Sequence, residues 1–152
     1  MKTSTIALAV SLAAPFAAIA VPNDACAVVT IEEVNVIAAG TVAKTQQQKA
    51  GNPSQCAFIN AKNGAVLVIS LREVQYAVEG ELQTERENLE KIYRSKVKWL
   101  TGLGENGFWM PVNKELVFRK GKTIVSVKFA RVENQKEVDS SQVARIIDAR
   151  LK

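Results

Sequence analysis

The fold is decided by residues 102–130, which read GLGENGFWMPVNKELVFRKGKTIVSVKFA. The three glycines at its start can adopt positive φ without a Cβ clash, so they predict a sharp turn. A short apolar run follows and ends before Pro111, which cannot donate to a sheet ladder. Leu116 and Phe118 then occupy alternate positions, as in a half-buried strand, and Lys120-Gly121 is typical of a hairpin turn.

The last alternating run of this stretch has the clearest strand pattern in the chain. Residues 126, 128 and 130 share one face, and the opposite, apolar face consists of Val125, Val127 and Phe129. One apolar face and one mostly polar face are typical of an antiparallel sheet that is packed on one side. Residues 102–130 therefore predict a glycine turn followed by a three-strand antiparallel meander.

A hairpin is predicted upstream of this meander. A short alternating segment begins at Cys56, and a continuous apolar run occupies residues 66–71. Between them lies Asn63-Gly64, the strongest local hairpin signal in the sequence. The polar residues 41–54 predict a loop, and the pattern at 72–80 fits either a longer strand or a loop.

A short helix is predicted before these strands. Thr30 and Glu33 have the spacing of a capping box, in which each residue satisfies a backbone N–H of the other. The helix then covers residues 31–39 and ends at Gly40, a residue type that is common just past the end of a helix.

Two further helices are predicted, one between the hairpin and the meander and one at the end of the chain. The first begins at a cap on Thr84 and covers residues 85–97, with the apolar stripe Leu89, Ile92, Tyr93 and Val97. The second begins at a cap on Asp139 or Ser140, with the buried stripe Val143, Ile146, Ile147 and Leu151.

The resulting order, α-ββ-α-βββ-α, predicts an α+β domain. We expect an antiparallel sheet of about five strands covered by about three helices. A length of 152 residues fits one domain. We assign this domain to residues 21–152, because the residues before it have the features of a leader.

Residues 1–20 predict a cleaved signal peptide. Lys2 supplies a basic start, an apolar run follows, and Ala18-Ile19-Ala20 has the small-x-small form that signal peptidase requires. We therefore expect cleavage after Ala20 and a periplasmic or secreted protein. The apolar run is too short and too rich in alanine for a membrane anchor, which needs about 20 residues. The alternative is an apolar first helix of the domain.

Cys26 and Cys56 are the only two cysteines of the chain, and we expect them to form a disulfide. An isolated cysteine pair in an oxidising compartment is typically bridged, and this bridge would stabilise the fold by roughly 3–4 kcal/mol. The alternatives are two buried thiols or a redox pair. A redox pair requires a motif such as C-x-x-C, which the sequence lacks.

The composition excludes several classes of function. The net charge of +5 falls by one when Lys2 leaves with the leader, and it is too modest for the basic stripe of a nucleic-acid-binding protein. The chain has no histidine, so it has neither a Ser-His-Asp triad nor a histidine-ligated metal site. The groups left for catalysis are a serine–lysine pair such as Ser126 and Lys128, or paired carboxylates. We expect no catalytic residue and no metal site. We interpret the serine–lysine pair and the paired carboxylates as solvated surface residues.

Two motifs are open to a functional interpretation. Residues 102–107 spell G-x-G-x-x-G, but a dinucleotide site needs a strand before this motif and a helix after it, so we interpret it as a turn and expect no cofactor. The second motif is a basic hairpin tip near an aromatic side chain, which could bind an acidic or glycan partner. Its candidate partner-binding residues are Trp109, Arg119, Lys120 and Lys122. The alternative is a soluble turn beside a core tryptophan.

Several short motifs together resemble a group of small exported bacterial proteins and lipoproteins of unknown function. They are Asp24-Ala25-Cys26, Gln55-Cys56-Ala57-Phe58, Gly102-Leu103-Gly104-Glu105 with Phe108-Trp109, and Leu116-Val117-Phe118 with Lys120-Gly121. The resemblance spans most of the chain after the leader and implies a fold similar to the PsbP/Mog1-like sandwich. This chain lacks a lipobox, and Asn106-Gly107 stands where that group usually has a small apolar residue.

The sequence favours an exported, non-enzymatic domain that binds an unidentified protein or envelope component, with no nucleic-acid partner. An alternative is an inhibitor or immunity-type protein that acts on a secreted hydrolase, with the basic hairpin tip entering an acidic cleft. A third hypothesis is a hydrolase that works without histidine.

Overall fold

The computed structural model describes residues 24–76, 78–130 and 136–151. The predicted leader lies outside these residues. The described residues form three helices and seven strands. In chain order they are α1 (Ile31–Ile37), β1 (Lys44–Lys49), β2 (Ser54–Ile59), β3 (Ala65–Glu73), α2 (Val78–Tyr93), β4 (Lys98–Leu100), β5 (Asn106–Met110), β6 (Glu115–Lys120), β7 (Thr123–Phe129) and α3 (Glu137–Arg150).

All seven strands belong to one antiparallel sheet with the order β1-β2-β3-β7-β6-β5-β4. The sheet consists of two meanders, β1–β3 and β4–β7, joined where β3 pairs with β7 from Leu67 opposite Phe129 to Glu73 opposite Thr123. The predicted α+β class, the antiparallel sheet and the helix count are confirmed for the described residues. The predicted strand number was too low, because β1 and β4 were not recognised.

Both missed strands lie at the edges of the sheet. Every residue of β1 is exposed, and its sequence KTQQQK has no apolar alternation, so β1 is held to β2 through backbone pairing. The prediction of a loop over residues 41–54 is therefore wrong for residues 44–49, which form β1, and for Ser54, which begins β2. β4 has three residues, which is too short for a periodic pattern.

Helices cover both faces of the sheet. α1 and α3 pack on one face, where Val34 and Ile147 join a large apolar core that includes Ile69, Phe118 and Val127. α2 packs on the other face, where a smaller core is formed by Leu82, Phe108, Val117 and Ile124. The apolar face predicted for the last strand lies in the larger core.

The disulfide between Cys26 and Cys56 is present, which confirms the predicted pairing. It attaches the segment before α1 to β2. Close to it, the Ala25 backbone N–H donates to the buried Ser54 hydroxyl over 2.9 Å. These two links hold the start of α1 against the sheet.

Two local predictions are also confirmed. At the start of α1, the Thr30 backbone N–H donates to the Glu33 carboxylate over 2.9 Å, and the Glu33 N–H donates to the Thr30 hydroxyl over 3.3 Å. This is the predicted capping box. Between β2 and β3, Asn63 has a φ of 59° and the Asn60 N–H donates to the Gly64 carbonyl over 2.9 Å, which closes the predicted hairpin.

α2 begins seven residues earlier and ends four residues earlier than predicted, at Val78 and Tyr93 instead of 85 and 97. Its fully buried residue is Leu82, and Ile92, which was predicted to be buried, is 68% exposed. Thr84 does not cap the helix, because its hydroxyl donates to the Gly80 carbonyl over 2.8 Å inside it. Since β3 ends at Glu73, residues 72–80 contain a strand end, a connection and a helix start.

Candidate binding site at the β4 edge

β4 is the last strand of the sheet on one side. One of its edges pairs with β5, so that Trp99 lies opposite Phe108 and Leu100 lies opposite Gly107. Its outer edge has no strand partner within the described parts of the chain. An unpaired strand edge presents backbone N–H and C=O groups to which another extended chain can add.

Trp99 is a large aromatic residue that is 53% exposed, yet its ring is held in place. The ring meets the buried Phe108 ring edge to face, with centroids 6.0 Å apart and planes at 81°. The Arg86 guanidinium lies 6.0 Å from the centroid of the Trp99 ring. Aromatic and cation–π contacts of this kind each contribute roughly 0.5–1 kcal/mol. Trp99 therefore offers an ordered apolar surface to solvent.

Arg86 is itself fixed by acidic neighbours on α2. Its guanidinium lies 2.8 Å from a carboxylate oxygen of Glu90 and 3.2 Å from one of Glu87. Glu90 also accepts hydrogen bonds from the Val97 backbone N–H and from Lys96. The hydrogen bond from Val97 lowers the pKa of Glu90 most, and Lys96 and Arg86 lower it further. The pKa of Glu90 is therefore below its ordinary value of 4.5. Glu90 therefore stays ionised and keeps Arg86 over Trp99.

On the opposite face of β4, a groove with a volume of ≈ 230 Å³ separates the strand from α3. It is referred to below as the β4–α3 groove. Its lining combines basic, acidic, polar and apolar residues: Lys98, Trp99, Leu100, Thr101, Leu103, Glu137, Ser141 and Arg145. Within it, Lys98 forms an ion pair of 2.8 Å with Glu137. Arg145 is exposed and has no ion-pair partner in the described chain.

The opposite edge of the sheet is less suited to take up another chain. β1 has lysines at both ends, Lys44 and Lys49, and its register with β2 is irregular between Gln47 and Lys49. Edge lysines and bulges are features by which proteins prevent pairing at exposed strands. β4 also begins with a lysine and has only three residues, so its backbone edge alone does not distinguish it from β1. The difference is that β4 presents Trp99 beside a groove, and on that ground we identify the β4 edge as the candidate site.

The four candidate partner-binding residues of the hairpin tip do not form one surface. Trp109 is 6% exposed and lies opposite Leu116, at the far end of the β5–β6 ladder from the hairpin tip. Arg119 forms an ion pair of 2.7 Å with Glu105, and Lys120 forms one of 3.0 Å with Asp148 on α3. Lys122 is exposed in the β6–β7 turn. A role of these four residues in partner binding stays a prediction.

Trp99 was not predicted as a site residue, although the sequence contains a signal for it. Val97 and Trp99 alternate with Lys96 and Lys98, which is the period-2 pattern of a strand with one apolar face. The pattern is short, and the glycine turn at residues 102–107 follows it closely. The exposure of Trp99 also reflects the position of β4 at the edge of the sheet, and the strand order cannot be read from this short pattern.

The G-x-G-x-x-G stretch is a turn between two antiparallel strands. It leads from β4 into β5, and its last two residues, Asn106 and Gly107, already belong to β5. A strand therefore precedes the motif, where the sequence predicted a helix, and no helix follows it. The Glu105 backbone N–H donates to the Arg119 carbonyl over 2.9 Å, and the Glu105 carboxylate accepts from the Gly121 N–H over 3.0 Å. These bonds tie the turn to the β6–β7 hairpin.

Two further findings concern the described residues alone. They contain no group of three or more histidine, cysteine, aspartate or glutamate residues placed to hold a metal ion. They also contain no helix that is long and apolar enough to cross a membrane.

No protein-family model, curated protein or solved structure matches this chain. The resemblance to small exported bacterial proteins therefore stays a prediction. The β4 edge, with its ordered tryptophan and adjoining groove, is the part of the described chain whose geometry best fits a binding function.

Proposed function

We propose that this chain is an exported binding domain without catalytic activity, and that it takes up an extended segment of a partner protein at the edge of β4. The observation that carries the proposal is Trp99: it is 53% exposed and held in place on the terminal strand of the sheet. Aromatic side chains in such positions provide much of the energy of protein–protein contacts.

Strand addition uses both faces of an edge strand. Side chains of an added strand alternate between the faces of the sheet, so some would lie against Trp99 and others would enter the β4–α3 groove. β4 has three residues and is about 10 Å long at roughly 3.3 Å per residue, so its backbone can form few hydrogen bonds. Affinity would therefore depend on the side-chain contacts at Trp99 and in the groove.

Two observations support export and a binding role. The Cys26–Cys56 disulfide fits an oxidising compartment, as does the predicted leader. Ser126 belongs to the serine–lysine pair considered above for catalysis. Its hydroxyl donates to the Glu115 carboxylate over 2.6 Å, a structural contact that ties β7 to β6.

The inhibitor alternative depended on a basic hairpin tip with charges free to enter an acidic cleft. Arg119 and Lys120 each have an acidic partner within the domain, at 2.7 Å and 3.0 Å. No described contact favours this alternative over strand addition, and it stays a prediction.

The proposal is tested with short peptides selected from a displayed random library on the mature, disulfide-bonded protein. We expect the selected peptides to shift the backbone amide resonances of residues 98–100 and the indole resonance of Trp99, while that of Trp109 changes little. Trp99→Ala should weaken binding at least about tenfold, as expected for an aromatic anchor.

The matched control is Val112→Ala, which removes an apolar side chain that is 58% exposed in the β5–β6 turn and should leave affinity unchanged. Failure to select any peptide, or peptides that bind Trp99→Ala as tightly as the unaltered protein, would contradict the proposal.

A further inference from the structure

A second groove lies on the other side of α3 from β4. This α1–α3 groove has a volume of ≈ 360 Å³ and is lined by Glu33, Val36, Ile37, Gln142, Arg145 and Ile146. Its floor is mainly apolar. Val36 is 86% exposed, although it belongs to the same short helix as the fully buried Val34. An isolated exposed valine is ordinary, but here it adjoins other apolar side chains in a concave surface.

Arg145 lies where the two grooves adjoin, because it is the residue that belongs to the lining of both. The other charged groups of the grooves are already neutralised: Lys98 pairs with Glu137 at 2.8 Å, and Glu33 pairs with Arg150 at 2.6 Å. Arg145 is exposed and has neither an ion pair nor a hydrogen bond to the described residues. The place where the grooves meet therefore carries one uncompensated positive charge.

We propose that the partner segment is acidic and apolar, and that it continues from the β4 edge across α3 into the α1–α3 groove. In this arrangement an acidic side chain pairs with Arg145, and an apolar side chain beyond it packs against Val36, Ile37 and Ile146. This inference rests on the proposed function, since it names the chemistry of the partner that binds at β4.

Charge complementarity selects this occupant. The planar guanidinium of Arg145 can bind a carboxylate through two parallel hydrogen bonds, whereas a basic side chain placed between the grooves would meet an uncompensated like charge. An exposed ion pair contributes only about 0–1 kcal/mol, so Arg145 acts mainly on partner choice. The apolar residue in the α1–α3 groove would add the hydrophobic part of the affinity.

Charge reversal at Arg145 tests the inference. The probe is a selected peptide in two forms, one with its acidic residue and one with lysine in that position. The unaltered protein should bind the acidic form about tenfold more tightly, and Arg145→Glu should reverse this preference. Lys62→Glu, at an exposed position in the β2–β3 turn, makes the same charge change away from both grooves and should preserve the preference. An unchanged preference in Arg145→Glu would overturn the inference.

Val36→Ser tests the apolar contact separately. The side chain is exposed and the two residues have similar helix propensities, so the fold should be unaffected. We expect a loss of affinity of several fold, and peptide-induced shifts at residues 36, 37 and 146 in the unaltered protein. If Trp99→Ala abolishes binding while Arg145→Glu and Val36→Ser change nothing, the proposed function holds and this inference fails. If peptides shift only residues at the α1–α3 groove, strand addition at β4 fails instead.

Discussion

Gly104 lies so close to Arg119 that a Cβ atom on Gly104 would overlap the Arg119 carbonyl oxygen. The same atom would lie 2.9 Å from Cδ2 of Phe118, a fully buried side chain. Gly104 also has a φ of +56°, in the left-handed region that L side chains disfavour. Both constraints come from the turn that positions β4 beside β5, so this glycine is essential to the geometry of the candidate site.

Gly104→Ala should destabilise the protein strongly. The positive φ costs roughly 1–2 kcal/mol and overpacking against β6 about 1–3 kcal/mol more, measured as the free energy of unfolding in urea. Gly102→Ala is the matched control: Gly102 has a φ of +71° but no atom within 4 Å of the added Cβ, so only the first cost applies. Equal losses in the two variants would contradict the close approach of Gly104 to β6.

The strands that bury apolar residues could be predicted from the sequence. In β6 and β7 the alternation arises because Leu116, Phe118, Val125 and Val127 all face the core formed with α1 and α3. That pattern is set locally by the pleat of each strand. The Asn63-Gly64 turn and the capping box of α1 are equally local, and both are present.

The features that sequence reasoning missed depend on contacts between distant segments. β1 is a strand because β2 offers it a backbone ladder, and its glutamines and lysines carry no sign of that partner. The candidate site also depends on contacts between segments that are distant in the sequence. Trp99 lies on a strand that forms the edge of the sheet, and Arg145 lines two grooves because α3 packs against α1 and lies across the β4–α3 groove from β4. A pattern along one segment contains neither relationship.

The register of α2 leads to a second prediction. Leu82 is 1% exposed and belongs to the smaller core, whereas Ile92 is mostly exposed in the last turn of α2. Leu82→Ala should lower the free energy of unfolding by about 2–4 kcal/mol because it leaves a cavity, and Ile92→Ala should change it by less than about 0.5 kcal/mol. A larger loss for Ile92→Ala than for Leu82→Ala would contradict this register of α2 and support the helix predicted from the sequence over residues 85–97.

Glu33 gives the fold a dependence on pH. Burial tends to raise the pKa of Glu33, but the hydrogen bond from the Thr30 backbone and the Arg150 guanidinium together hold it below its ordinary value of 4.5. A lowered pKa in the folded state means that the ionised carboxylate stabilises the fold. This contribution is complete above pH 4.5 and is lost as the pH falls through the lowered value.

Glu33→Gln should therefore destabilise the protein at neutral pH and do so less in acid. About 1 kcal/mol is expected at neutral pH, since the variant weakens a helix cap and a partly exposed ion pair. Urea unfolding at neutral pH and well below pH 4.5 measures the difference from the unaltered protein. Glu32→Gln, in the same turn of α1, should have little effect at either pH. A difference for Glu33→Gln that stays constant into acid would contradict the role of the ionised carboxylate.

Ser140 offers a way to stabilise the domain. It is fully buried on α3, and its hydroxyl finds no hydrogen-bond partner among the residues that the structure describes. An unsatisfied buried hydroxyl costs about 1–3 kcal/mol, and alanine is the better helix former by up to about 0.5 kcal/mol. Ser140→Ala should therefore raise the free energy of unfolding by about 1 kcal/mol.

The neighbouring Ser141 separates the two causes of this gain. It is half-buried at the β4–α3 groove and can bond to water, so Ser141→Ala should gain only the helix-propensity part. Thermal and urea unfolding of the two variants would show whether Ser140→Ala gains more than Ser141→Ala. If Ser140→Ala loses stability instead, its hydroxyl must be hydrogen-bonded in solution, and the interior of the domain beneath α3 would contain a polar partner for it.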